Sequence, residues 1–260
     1  MTPMLHRVQP CKVHRYGNPD SRAVVLVHGL TDAGTAWPDL VQHWGDRWDV
    51  HAVDLRGHGE SPRFTDAELA DAPAVMLADL VAVIDDLPEP AALVGHSLGG
   101  LLSLRATLAR PDRVWALVLE DPARPTGAQP DPDFLAHNEE FLESVDADPE
   151  KEIRRMAVET IWSRSEIEAW AACKPLVDRD YIRRGLHLGD PVWEGLFNAL
   201  MVPTLLVLPP DAPMAPRAEA VHNPLVRTAV VADAGHCVRR DQPGEYHRLV
   251  DDFLAEAAPR

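Results

Sequence analysis

A serine flanked by small residues, Gly95-His96-Ser97-Leu98-Gly99, lies between an apolar run, Ala91 to Val94, and a helical one, Gly100 to Ala109. A hydroxyl on a tight strand-to-helix corner is what nucleophilic attack needs, because small neighbours let the backbone turn sharply and leave the oxygen exposed. The pattern predicts Ser97 as a nucleophile. It also predicts the backbone N–H of Leu98, in the first turn of the helix, as a donor to a developing oxyanion. A serine needs a base, and Ala234-Gly235-His236 follows the last predicted strand and precedes a C-terminal helix. Of the 12 histidines, His236 is the one placed to take the hydroxyl proton and return it to a leaving group. His96 reads as packing beneath the corner. His28-Gly29 opens the loop Leu30 to Trp37, where the Leu30 backbone N–H is the expected second oxyanion donor.

These residues need a scaffold that brings loops together at one edge. Ala23 to Val27, Trp48 to Val53, Ala92 to Gly95, Val114 to Leu119, Thr204 to Leu208 and Arg227 to Val231 read as strands, after an antiparallel lead-in from Leu5 to Tyr16. Leu77, Leu80, Val81, Ile84 and Leu87 recur at helical spacing, as do Tyr246, Leu249, Val250, Phe253 and Leu254. Strands alternating with such helices predict an α/β protein with a mostly parallel sheet covered on both faces. Asp54 to Ser61 reads as scaffolding: glycine turns with local polar bonds. From Pro122 to about Leu200 no strand is predicted. That stretch opens with prolines (Pro122, Pro125, Pro130, Pro132) and continues as short acidic, tryptophan-bearing helices, the mark of a lid or insertion.

Composition narrows the classes. A formal net charge of −16 argues against nucleic acid or an anionic membrane as partner. Three scattered cysteines form neither a disulfide framework nor a zinc site, and no histidine spacing suits a metal. No dinucleotide-binding glycine fingerprint is present. Without an apolar signal core or a transmembrane window, the expected location is the cytoplasm. The expected partner is a small-molecule substrate, with no cofactor and with a homodimer left open. The basic pairs Arg154-Arg155, Arg183-Arg184 and Arg239-Arg240 read as solvated faces.

Together, His28-Gly29, Asp54 to Ser61, Gly95 to Gly99 and Gly235-His236 resemble the α/β-hydrolase superfamily in order and spacing. The resemblance implies an eight-stranded, mostly parallel sheet with a Ser–His–acid triad at its C-terminal edge. It implies a core of residues 1–121 and 201–260, with residues 122–200 as a helical cap inserted after strand six. Relatives with an aspartate nucleophile, dehalogenases and epoxide hydrolases, are disfavoured because position 97 is serine. The acid most often follows the family's seventh strand in a G-x-x-D turn, but here that turn reads Pro209-Pro210-Asp211-Ala212. A minority of relatives carry it after strand six, where Asp121 stands in Leu119-Glu120-Asp121-Pro122. The broken turn favours Asp121, with Asp211 the alternative. Glu120 is expected to face away from the site.

The expected activity is hydrolysis of a carboxylic ester or lactone of a small, hydrophobic substrate through an acyl-enzyme. Trp37, Trp162 and Trp193 are the expected substrate-binding residues, with Trp170, Phe134, Phe141 and Met156 as further apolar lining. The alternatives are a C–C bond hydrolase or proline iminopeptidase on the same scaffold, or a non-catalytic ligand-binding protein.

Overall fold

The computed structural model describes residues 11–125, 127 and 132–259. Its strands are β1 (Val13–Gly17), β2 (Ala23–Val27), β3 (Asp49–Val53), β4 (Ala91–His96), β5 (Val114–Glu120), β6 (Thr204–Leu208) and β7 (Val226–Val230). They form one sheet in the order β1-β3-β2-β4-β5-β6-β7, with β1 antiparallel to β3 and every other pairing parallel. The described residues thus contribute seven strands, not the eight expected. The lead-in supplies one pairing run, Val13–Gly17, and its predicted beginning at Leu5 lies outside the described residues, as does Pro130.

Burial on both faces explains the continuous apolar runs, since a parallel sheet is covered on each side. Successive residues of β2 alternate between two cores: Val25 and Val27 face one, Val24 and Leu26 the other. The helices α1 (Pro38–Trp44), α2 (Asp66–Leu69), α3 (Ala72–Asp86) and α4 (Leu98–Ala109) lie in the first half of the chain. Met76, Leu80 and Ile84 of α3 pack with Leu101 and Leu104 of α4 on one face. Leu77 and Val81, predicted for the same stripe, stand at its margin, partly buried. The other face is covered by Leu40 and Trp44 of α1 and by the C-terminal helix.

Between β5 and β6 the described residues hold helices α5 (Pro132–Ala147), α6 (Pro149–Glu159), α7 (Arg164–Cys173) and α8 (Glu194–Asn198), with short turns and no strand. After β7 come α9 (Val238–Asp241) and α10 (Pro243–Ala257). Tyr246, Val250, Phe253 and Leu254 of α10 are buried, the Val, Phe and Leu side chains adding about 1.5–3 kcal/mol each. Chain order reverses between β2 and β4, which are neighbours in the sheet, with Val27 opposite Gly95. The C-terminal ends of strands at such a reversal open a crevice, and the loops after β2 and β4 meet there.

Candidate active site

Ser97 occupies the corner between β4 and α4 at φ +51°, a backbone region that non-glycine residues seldom enter. Such strain costs of order 1–3 kcal/mol and persists only where neighbours over-determine it. Here both ends of the residue are tied to the exit of β5: its N–H donates to the Glu120 carbonyl (3.0 Å), and its carbonyl accepts from Ala123 N–H (2.9 Å). The flanking glycines are needed because backbone packs where a side chain would sit. A Cβ at Gly99 would stand 2.2 Å from the Val27 carbonyl oxygen, and one at Gly95 would stand 2.5 Å from that of Gly99.

His236 lies in the loop between β7 and α9, its imidazole partly open to solvent. Its Nδ1 is 2.6 Å from Oδ2 of Asp121, the residue that follows β5. An ionised carboxylate only accepts, so this bond places the proton on Nδ1 and leaves Nε2 free as a base. Asp121 is buried, sits at φ +35° and is fixed by its own N–H donating to the Val207 carbonyl (2.9 Å). Asp211, beyond β6, is exposed and has no hydrogen bond or ion pair to another described residue. The structure therefore brings Asp121, and not Asp211, to His236.

His96 is not paired with the serine. Its Nε2 donates to the His236 carbonyl (3.1 Å), with the two rings 4.7 Å apart. Burial first, then the neighbouring His236 and Arg239, hold its pKa well below the usual imidazole value, so it is neutral and carries its proton on Nε2. It positions the loop that carries His236.

The loop after β2 starts with a turn in which Asp32 N–H donates to the Gly29 carbonyl (3.2 Å). His28 Nδ1 donates to the same carbonyl (2.8 Å), while its Nε2 accepts from Leu55 N–H (3.0 Å). A planar trans peptide sends the Leu30 N–H opposite to the Gly29 carbonyl. That amide has no acceptor among the described residues, and a Cβ at Gly29 would be 3.2 Å from Cβ of Ser97. Asp54 supports the loop from below, accepting from Gly34 N–H (2.6 Å) and Glu60 N–H (2.8 Å).

Sequence reasoning missed a buried charge network behind these loops. Arg239 and Arg240, expected on a solvated face, are both buried. The short helix α9 turns them inward, toward carboxylates that offset their desolvation. Arg239 meets Glu120 through its backbone N–H (2.8 Å) and Nη1 (3.1 Å). Arg240 meets Glu166 of α7 (2.8 Å) and Asp32 (3.1 Å). Lys174, at the end of α7, reaches Asp32 (2.8 Å) and the Thr31 carbonyl (3.1 Å). Burial pushes the Asp32 carboxyl up, but Arg240, Lys174 and Arg239 outweigh it and hold it well below the usual range. At Glu120 burial wins over Arg239, and the carboxyl is raised.

The tryptophans expected to line a substrate pocket meet this network and the core. Arg239 lies 4.0 Å over the Trp37 ring, Arg240 4.9 Å over Trp162, and Lys174 4.9 Å over Trp170. Each is a face that attracts a cation. Trp162 also donates through Nε1 to Asp241 (2.7 Å). Trp193 is buried against Phe197 and donates to the Met214 carbonyl (2.9 Å). Spacing along the chain could not reveal this, because the partners come from four separate segments. A concavity of about 1250 Å³ opens elsewhere, between Arg15, Asp49, Asp86 and Arg22. It adjoins Cys11, where the described residues begin, and none of Ser97, Asp121 and His236 lines it.

Comparison with known proteins bears on the family and the fold. The sequence model of a family described as the alpha/beta hydrolase family matches residues 24–249. The pimeloyl-[acyl-carrier protein] methyl ester esterase of Aeromonas hydrophila subsp. hydrophila is 27% identical over 93% of this chain and 98% of its own length. Lipase LipV of Mycobacterium tuberculosis is 40% identical over 112 residues, 43% of this chain and 41% of the lipase. The crystal structure of a putative aryl esterase from Burkholderia cenocepacia matches at a TM-score of 0.74 and 22% identity. It covers 94% of both chains, a likeness of fold.

Proposed function

Because the chain belongs to the alpha/beta hydrolase family, we propose that it hydrolyses a carboxylic ester or lactone of a small, apolar substrate through an acyl-enzyme on Ser97. Relatives named as esterases and lipases support ester hydrolysis as its chemistry. The observation that carries the mechanism is the 2.6 Å bond from His236 Nδ1 to Asp121, together with a serine held at positive φ by backbone bonds to Glu120 and Ala123, on either side of Asp121. His236 Nε2 accepts the Ser97 hydroxyl proton as Oγ attacks the carbonyl carbon. The backbone N–H groups of Leu30 and Leu98 stabilise the oxyanion. Collapse of the tetrahedral intermediate breaks the ester C–O bond, and His236 returns its proton to the departing alkoxide. Water, deprotonated by His236, then attacks the acyl-enzyme, releasing the acid and restoring Ser97. Asp121 stabilises the imidazolium without itself taking the proton. The helices between β5 and β6 act as a cap over this edge, and the pimeloyl-carrier substrate of one relative is not carried over to this chain.

The experiment is hydrolysis of p-nitrophenyl esters and aryl lactones by the wild type and Ser97→Ala, together with labelling by a fluorophosphonate. The expected result is turnover and labelling by the wild type and a fall in kcat of about 10⁴–10⁶-fold in Ser97→Ala. Equal activity in both proteins would overturn the nucleophile assignment. A wild type inert on esters but active on a vinylogous keto acid or a prolyl amide would move the reading to C–C or iminopeptide cleavage.

A further inference from the structure

Four non-glycine residues among those described have positive φ, and two of them, Ser97 and Asp121, belong to the site above. A third, Thr31 at φ +67°, lies in the turn beside Leu30. In that turn the carbonyl of Gly29 accepts from the N–H of Asp32, which places Thr31 at the third position, where a positive φ calls for glycine or asparagine. Threonine is β-branched and poorly suited to this region. Something outside the turn must hold it.

The restraint comes from the helical insertion. Lys174 is 1% exposed, and its ammonium donates to the Thr31 carbonyl (3.1 Å) and to Asp32 Oδ1 (2.8 Å). Trp170, one helical turn earlier, lays its ring 4.9 Å from the same ammonium. The peptide between Thr31 and Asp32 is thereby gripped at both ends: Lys174 takes its carbonyl, and the Gly29 carbonyl takes its N–H. Planar peptides transmit that alignment in turn. Fixing the Asp32 N–H fixes the Gly29 carbonyl, and the Gly29 carbonyl fixes the opposed Leu30 N–H.

We infer that Lys174 is a positioning residue for the oxyanion turn: delivered by the insertion, it aligns the Leu30 N–H with the carbonyl oxygen of the substrate at Ser97. This rests on the serine hydrolase reading above. It makes the insertion part of the catalytic geometry as well as a cover, since withdrawing α7 withdraws the ammonium that holds the turn. Asp32 keeps Arg239 and Arg240 when Lys174 is replaced, so removing Lys174 alone does not leave a buried carboxylate unpaired.

The test compares wild type, Lys174→Met, Lys174→Arg and the double variant Thr31→Gly/Lys174→Met on one p-nitrophenyl ester. Affinity for an aryl trifluoromethyl ketone, which adds Ser97 to form a tetrahedral oxyanion, is measured beside kcat and KM. Loss of one well-aligned oxyanion donor lowers kcat by up to about 10²–10³-fold, and misalignment by less. The expected result for Lys174→Met is therefore a fall in kcat of about 10–100-fold, KM within about threefold, and ketone affinity weakened by the same factor as kcat. Lys174→Arg, which keeps a cation at Asp32, is expected to retain more activity than Lys174→Met. The double variant, in which glycine adopts the left-handed turn unaided, is expected to recover much of the loss. A folded Lys174→Met with wild-type kcat overturns the inference, as does a loss confined to KM or one without weakened ketone binding. If Lys174→Met does not fold, Lys174→Gln, one bond shorter and uncharged, takes its place, and wild-type kcat with unweakened ketone binding in that variant overturns the inference equally. Normal wild-type turnover with no effect of Lys174 removes this inference alone; a wild type that neither turns over nor binds the ketone removes the hydrolase reading with it.

Discussion

The corner at Ser97 and the helical insertion reach the same edge of the sheet but are anchored by different forces. Backbone holds the corner: two hydrogen bonds to the exit of β5 and glycines whose missing side chains admit neighbouring carbonyls. Side-chain charge ties the insertion to the loops, through Lys174 and Glu166 meeting Asp32 and Arg240 over tryptophan rings. Backbone anchoring depends little on which side chains the anchoring residues carry. Ionic anchoring fails where a buried charge loses its last partner, because each depends on the others for its lost solvation.

The largest effect that would break this contrast lies on the backbone-held side. Asp121→Asn should keep the fold and lower kcat on p-nitrophenyl esters by about 10³–10⁴-fold, since an amide no longer holds His236 in the tautomer that leaves Nε2 free. Asp211→Asn should stay within about twofold of wild type. Collapse of Asp211→Asn with Asp121→Asn intact would reverse the acid assignment.

On the charge-held side, Arg240→Met takes the cation from Glu166 inside the protein, while Asp32 keeps Lys174 and Arg239, and should cost about 3–5 kcal/mol in urea unfolding. Changing the exposed Arg248, which bridges Glu245 and Asp252 along α10, to Met should leave the urea midpoint almost where it is in the wild type. Equal costs for the two would mean that burial does not distinguish these pairs.

The smallest expected effect is in acid. The pKa of Asp32 is depressed in the folded state, so its contribution to stability is fully present above its unfolded value, near 3.8, and is lost as pH falls through the folded value. Urea midpoints measured from about pH 5 down to about pH 3 should fall, and more gently in Asp32→Asn. An identical slope in the two proteins would show that Asp32 is not among the groups that titrate on unfolding.

Much of this was legible along the chain because it is written locally. Apolar runs located the strands to within a residue or two: Thr204–Leu208 coincides with the predicted run, and β4 and β5 extend slightly beyond theirs. Strand–glycine–serine–glycine–helix placed Ser97 at a corner, and the glycine before His236 placed that residue in a loop. The doublet Arg239-Arg240 was misread for the opposite reason. Two adjacent arginines carry no mark of burial, and only Asp32, Glu120 and Glu166, lying 208, 119 and 74 residues from the arginine each meets, make burial tolerable.

The tryptophans make the same point. Their composition suggested an apolar pocket, whereas Trp37, Trp162 and Trp170 carry cations in the folded chain. The amino-acid sequence by itself determined the alternation of strands and helices, the corner at Ser97 and the loop that bears His236, because periodicity and turn chemistry act over a few residues. Tertiary structure alone decided which carboxylate meets His236, where Lys174 points and which aromatic faces meet cations. Those outcomes depend on side chains brought together from distant strands and on charges that are stable in the interior only in one another's company.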